Sequence, residues 1–224
     1  DSGMEPIWLT DRKDLAKIFN RNGFKTITNK KDIPEGCVWT HPMDLPTLLN
    51  LEYKDLWYGS YLKSDKDYDK KYEWMNSGAK MKIGIRWQGN PDYDNDLHRS
   101  VPLKDIYESV KHIDANFYSL QRDVGLEEIE DFPGLISLEQ YMTSWEDTLG
   151  IIDNLDLVIT SCTSVAHAAA STGTKTFILT PISAYYIWSH SMEQSPWYGD
   201  NVILCRQEKP RSWQEPLLKL KKLL

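Results

Sequence analysis

The stretch 156–181, DLVITSCTSVAHAAASTGTKTFILTP, constrains the fold of this chain more than any other. Leu157, Val158 and Ile159 form a short continuous apolar run, as expected of a strand covered on both faces. The run stops at a polar cluster, Ser161, Cys162, Thr163 and Ser164, the composition that opens a helix. Residues 165–172 are mostly alanine, so a helix there can lie close against a sheet, and Gly173 is a good helix stop. Residues 176–180 (TFILT) read as a second buried strand, closed by Pro181. A parallel strand–helix–strand unit places the helix N-terminus at the carboxyl edge of the sheet. Free backbone N–H groups and the helix dipole favour an anion there, most often a phosphate.

The same alternation runs through the rest of the chain. Residues 6–10 (PIWLT) read as a strand, and 11–22 as a helix with Leu15, Ile18 and Phe19 on one face. Short strands are expected at 25–28 and 37–40. Residues 63–80 are dense in Lys and Asp, which predicts a charged linker, partly helical around 68–75. It separates a partial or reduced N-terminal α/β domain, 1–62, from a larger unit, 81–224. In that unit strands are expected at 81–87, 116–121, 135–138 and 201–205, with an amphipathic helix at 103–113. Ser144 with Asp147, and Ser212 with Glu215, have the spacing of capping boxes and open two further helices. The expected class is α/β, a Rossmann-like parallel sheet with helices on both faces.

Composition narrows the function. The formal charge of −7 and a pI near 5.3 argue against non-specific nucleic-acid binding, which needs a basic face. No apolar run approaches the roughly 20 residues of a membrane helix, and no basic-then-apolar leader opens the sequence. Cys37, Cys162 and Cys205 are widely spaced and odd in number, which points to reduced thiols in a cytoplasmic setting rather than a disulfide or zinc site. The expectation is therefore no metal and no transmembrane segment.

Four blocks together suggest a family: IGIRWQGNPDYDNDLHRSVPL, FYSLQRD, DLVITSCTSVAHAAASTGTKTFILTP and SPWYGDNVILCRQ. In order and spacing they resemble the C-terminal half of GT-B glycosyltransferases. They are most similar to the glycosyltransferase-like domain downstream of tetratricopeptide repeats in bacterial proteins, a relative of the lipopolysaccharide heptosyltransferases. The resemblance covers about residues 81–213. It implies metal-independent, inverting transfer from a nucleoside diphosphate sugar, used as donor substrate with no separate cofactor. The acceptor would be a glycan, a lipid-linked sugar or a protein. Residues 1–62 would be the last part of an N-terminal Rossmann domain; the family's glycine-containing first loop and acceptor-side base are not matched.

Candidate donor-site residues follow from both readings. Thr163, Ser164 and Val165 can aim backbone N–H groups at a diphosphate, and the two hydroxyls add donors. Neutralising the charge of a leaving nucleoside diphosphate aids catalysis as well as binding. His167 lies one turn into the same helix, and the resemblance implies that it faces the nucleotide; the plain alternative is a buried histidine bonded to a backbone carbonyl. Arg99 could supply a cation, and Gln88 and Asn90 follow the first strand at the same edge. Gln121 and Asp123 follow a strand end that commonly meets ribose or base. Trp197 and Tyr198 read as structural. Cys162 stands where relatives commonly carry Asp, which leaves a catalytically silent sugar-nucleotide-binding or scaffold domain as one alternative. A thiol hydrolase built on Cys162 and His167 is another, disfavoured by their spacing and the lack of a third member. His41 and His98 are candidate general bases with no motif behind them.

Overall fold

The computed structural model describes residues 5–56, 58–188 and 193–224. The chain divides into two compact units, Asp1–Trp57 and Tyr58–Leu224. The first contains β1 (Trp8–Leu9), α1 (Lys13–Arg21), β2 (Thr26–Ile27) and the short α2 (Leu45–Leu48). β1 and β2 pair in parallel. The Asn20 side chain accepts from the Thr26 N–H at 3.0 Å and donates to the Thr26 carbonyl at 2.8 Å, closing the far edge of β2. The expected strand at 37–40 does not form. Val38 and Trp39 are 90% and 84% exposed, so their β-favouring side chains bury nothing that would hold them in a sheet.

The second unit contains α3 (Lys66–Lys71), β3 (Met81–Arg86), α4 (Asp96–Arg99), α5 (Leu103–Val110), β4 (Ala115–Ser119) and β5 (Leu135–Ser137). It continues with α6 (Trp145–Asp153), β6 (Leu157–Ser161), α7 (Ser164–Thr172), β7 (Lys175–Thr180), β8 (Val202–Arg206) and α8 (Gln214–Leu223). The strands form one parallel sheet in the order β5-β4-β3-β6-β7-β8. This is the doubly wound order of a Rossmann-type fold, as the alternation of elements predicts.

Alternate residues of each strand feed two cores. On one face Ile83, Ile85, Ile159, Phe177 and Leu179 meet Leu103, Ile106 and Val110 of α5 and Leu217 and Leu220 of α8. On the other, Ile178, Val202 and Leu204 meet Ala166 and Ala170 of α7. The alanines let α7 lie close to the strands, and Gly173 ends it at φ 87°. Of the two expected capping residues, Ser144 caps α6, whereas α8 begins after Trp213 with no side-chain cap, and the Ser212 hydroxyl bonds the Glu215 side chain instead. Ser144 Oγ accepts from the Asp147 N–H at 3.1 Å, and Ser212 Oγ donates to Glu215 at 2.7 Å.

The expected linker, 63–80, is instead part of the second unit, which begins at Tyr58. The N–H groups of Tyr61 and Leu62 both donate to the Ser171 carbonyl, at 2.9 and 3.0 Å. Beyond them α3 packs on α6. The stretch has few apolar residues, but it buries Tyr72 and Met75 almost completely. Asp147 fastens it by accepting from the Tyr72 hydroxyl at 2.6 Å and Lys71 Nζ at 2.7 Å. Gly150 makes the approach possible, since a Cβ there would stand 2.7 Å from the Tyr68 carbonyl oxygen.

Candidate functional site

The strand order reverses between β3 and β6, whose connections leave toward opposite edges of the sheet. The chains leaving neighbouring strands therefore diverge and open a crevice at their carboxyl ends, where ligands of such sheets bind. Two segments flank it: the loop from Trp87 to α4, and the turn Cys162–Thr163 into α7. α7 begins with the N–H groups of Ser164 and Val165 uncommitted to intrahelical bonds. Thr163, at the N-cap, makes no side-chain cap; its hydroxyl lies 3.4 Å from that of Thr160.

Arg99 ties the two segments together. Its Nη1 donates to the Cys162 carbonyl at 3.0 Å, its Nε to Asp96 Oδ1 at 2.8 Å, and its guanidinium lies 4.5 Å from the Tyr93 ring centre. The expected cation is thus at the expected turn. Arg86, the last residue of β3, was not among the sequence candidates. Burial pulls its guanidinium down to about 10. Nη1 donates to the Leu120 carbonyl at 2.9 Å. Arg206, at the end of β8, donates to the Trp188 carbonyl at 2.8 Å and has its basicity lowered by burial.

Cys162 faces inward, with its Sγ accepting the Trp188 indole N–H at 2.9 Å. Burial raises the thiol pKa, although the Trp188 bond, Arg99 and Arg206 each pull the other way. His167 stacks on Trp188, with ring centres 4.6 Å apart, and its Nδ1 lies 2.8 Å from the Tyr198 hydroxyl. Burial lowers its pKa to about 4, so the imidazole is neutral at pH 7. Its partner is a phenol rather than the backbone carbonyl of the plain alternative. Tyr198 is structural in that it joins the core against α7 and β8.

Other candidates are not brought to the crevice by their side chains. Gln121 is fully buried. It accepts from the Trp87 and Gln88 N–H groups at 3.3 and 3.1 Å and donates to the Gln88 and Val124 carbonyls at 3.1 and 2.7 Å. That clasp leaves nothing for a ribose. Asp123 is exposed in a left-handed turn, at φ 64°. Asn90 is exposed and accepts the Asp92 N–H within its own loop. Gln88 is half-buried beside the crevice.

A second signal lies in the buried polar atoms. Arg86 Nε, Ser161 Oγ, Thr180 Oγ1 and Gln207 Nε2 are buried with no protein hydrogen-bond partner among the described residues. They belong to the carboxyl ends of β3, β6, β7 and β8. Buried polar groups are otherwise almost always paired, so water or a ligand at this edge would satisfy these atoms. No single residue type marks such atoms in a sequence; only their common position at strand ends could have pointed to them.

Among the described residues no group of His, Cys, Asp and Glu could hold a metal ion, and no helix is long and apolar enough to cross a membrane. The fold and crevice define a Rossmann-type α/β unit with an anion-favouring edge. No family model matches the chain, and no curated protein matches it in sequence. Its structure resembles that of a glycosyl transferase family 9 protein from Veillonella parvula, with a TM-score of 0.54 and 12% identity. The likeness covers 84% of this chain and 53% of that one, so the chain spans about half the length of its neighbour. At this identity the likeness is one of fold.

Proposed function

We propose that the second unit binds a nucleoside diphosphate sugar at the crevice between β3 and β6, as the donor half of a GT-B-type glycosyltransferase. The observation that carries the reading is the start of α7, with free N–H groups, at the sheet's switch point and with Arg99 held against it. In this reading an acceptor oxygen attacks the anomeric carbon, and the bond from that carbon to the diphosphate oxygen breaks. The electron pair leaves on the diphosphate. The N–H groups of Ser164 and Val165, Arg99 and the half-buried Arg86 offset that growing charge. The resemblance in sequence pattern supports reading the transfer as inverting and metal-independent.

The test is calorimetric titration with ADP, GDP, UDP and CDP, in the wild type and in Ser164→Asp. Ser164 is exposed at the first position of α7, so the substitution should be tolerated by the fold while placing a carboxylate beside the phosphate. At least one diphosphate should bind, and the variant should weaken it tenfold or more, about 1.4 kcal/mol. Equal affinity in a folded Ser164→Asp protein would place the nucleotide elsewhere. Cys162 favours a second reading, a catalytically silent sugar-nucleotide-binding domain. Its sulfur is committed to Trp188 where a carboxylate would grip sugar hydroxyls. Binding without donor consumption across mixed acceptors would select that reading.

A further inference from the structure

We propose that Tyr198 is a positioning residue: its hydroxyl donates to Nδ1 of His167 and holds the imidazole as the Nε2–H tautomer, a neutral donor turned toward the start of α7. The ring needs such a device because the two nitrogens of a neutral histidine have opposite roles, set by what the other one bonds. Here Nδ1 is 2.8 Å from the phenol, and Nε2 has no partner among the described residues. Two arrangements fit that distance. In one, Tyr198 donates to Nδ1 and Nε2 carries the proton. In the other, Nδ1–H donates to the phenol oxygen and Nε2 is a bare acceptor. The first is favoured because a phenol is a far stronger acid than a neutral imidazole N–H, and an imidazole lone pair is a far stronger base than a phenol oxygen.

The surroundings support the same arrangement. The Tyr61 ring lies parallel to Tyr198, with centres 6.5 Å apart and planes within 12°. With its ring held against Tyr61, the phenol stays within reach of Nδ1. Trp188 stacks on the imidazole at 4.6 Å and lies 5.8 Å from the Tyr198 ring, which fixes the ring plane. A helical side chain leans toward the helix N-terminus, so His167, in the second turn of α7, covers the turn that begins the helix. An Nε2–H there meets an anion as a donor; a bare Nε2 would repel it. The tautomer can be tested without any ligand, while its use as an anion donor rests on the nucleotide reading above.

The experiment is nitrogen-15 NMR of the histidine side chains in the full chain at neutral pH, with the His167 signals identified by their loss in His167→Gln. The wild type should show one Nε2–H tautomer. Tyr198→Phe removes a single oxygen and should give a mixture of tautomers while leaving the thermal melt of the fold intact. In the calorimetric titration, with the tightest-binding nucleoside diphosphate as probe, Tyr198→Phe should weaken binding about twofold, as the competent fraction of His167 falls. Adding Tyr198→Phe to His167→Gln should cost nothing more, because the glutamine amide donates regardless of Tyr198. A wild-type Nδ1–H tautomer, or one unchanged by Tyr198→Phe, overturns the proposal. A tautomer as proposed, in a chain that binds no diphosphate, upholds the positioning role and overturns the anion-donor use and the nucleotide reading together.

Discussion

Arg99→Met tests whether one residue both closes the crevice and builds its charge. Methionine keeps most of the stem volume and removes the guanidinium. Three interactions are lost: the bond to Asp96 at 2.8 Å, the bond to the Cys162 carbonyl at 3.0 Å and the stack on Tyr93 at 4.5 Å. A hydrogen bond to a charged group is worth about 1.5–3 kcal/mol, a neutral-acceptor bond about 1, and a cation–π contact about 0.5–1. Asp96, 5% exposed, keeps only the Ser100 hydroxyl at 2.8 Å on its other oxygen. The expected destabilisation is about 3 kcal/mol, which at a urea m-value near 3 kcal/mol/M moves the midpoint by about 1 M. The double variant Asp96→Asn, Arg99→Met removes the stranded carboxylate and should recover at least half of that loss. It should not recover nucleoside diphosphate affinity, since the cation is still gone. Midpoints by circular dichroism and affinities by calorimetry separate the two effects. An unchanged urea midpoint together with unchanged affinity in Arg99→Met would refute the reasoning outright.

Three further outcomes are expected. Burial alone would raise the Asp147 pKa, but the bonds from Lys71, Thr143, Tyr72 and Ser144 outweigh it and hold the carboxyl well below the usual carboxylate range. Its stabilisation is therefore complete above the unfolded value of about 3.9 and declines as pH falls below it, so Asp147→Asn should flatten the acid limb of a stability–pH curve; an unaltered acid limb would deny the linkage. Gly150→Ala should destabilise the second unit by about 1 kcal/mol. The overpacking cost against Tyr68 exceeds the gain of about 1 kcal/mol in helix propensity, and a stabilised variant would mean that α3 does not dock on Gly150. Cys162→Ala should retain fold and nucleotide binding, whereas rapid alkylation of the wild-type thiol at neutral pH, blocked by nucleotide, would show an activated cysteine.

What the sequence made legible was local. β6, the polar turn and α7 could be read because an apolar run, hydroxyl residues and alanines stand next to one another in the chain. The Ser144–Asp147 cap was legible for the same reason. The docking of 63–80 was not, because its buried residues, Tyr72 and Met75, are scattered among charges without a helical period. Their seat depends on Gly150 and Asp147, about seventy to eighty residues away. Gln121 looked like a ligand because it follows a strand at the right edge. Its amide closes on backbone groups of Trp87, Gln88 and Val124, a pairing that only the sheet order creates. Arg86 was passed over because a charged last residue in an apolar strand looks like its exposed end. The parallel neighbours on both sides of β3 keep it half-buried instead, with its Nε out of reach of solvent.

The charges at this edge could in principle serve the protein's own sulfur rather than a ligand. A thiol at the start of a helix, near Arg99 and Arg206, has the surroundings that lower a cysteine pKa. Had those forces won, the cations would already have their anion, a thiolate at Cys162, and the thiol hydrolase reading would gain ground. Burial wins instead: the Cys162 pKa is raised, and its sulfur receives the Trp188 N–H rather than facing the crevice. At pH 7 the group is a neutral thiol and supplies no charge to the arginines. His167 does not activate it either, since its Nδ1 is turned to Tyr198. Among the described residues Arg86 has no carboxylate hydrogen-bonded to it, and α7 begins with no acidic residue in its first turn. Arg99 already has a carboxylate in Asp96, so the charge that the proposed diphosphate would meet without one is chiefly that of Arg86. In the proposed reading, an incoming diphosphate would offset the desolvation cost of the half-buried Arg86 guanidinium.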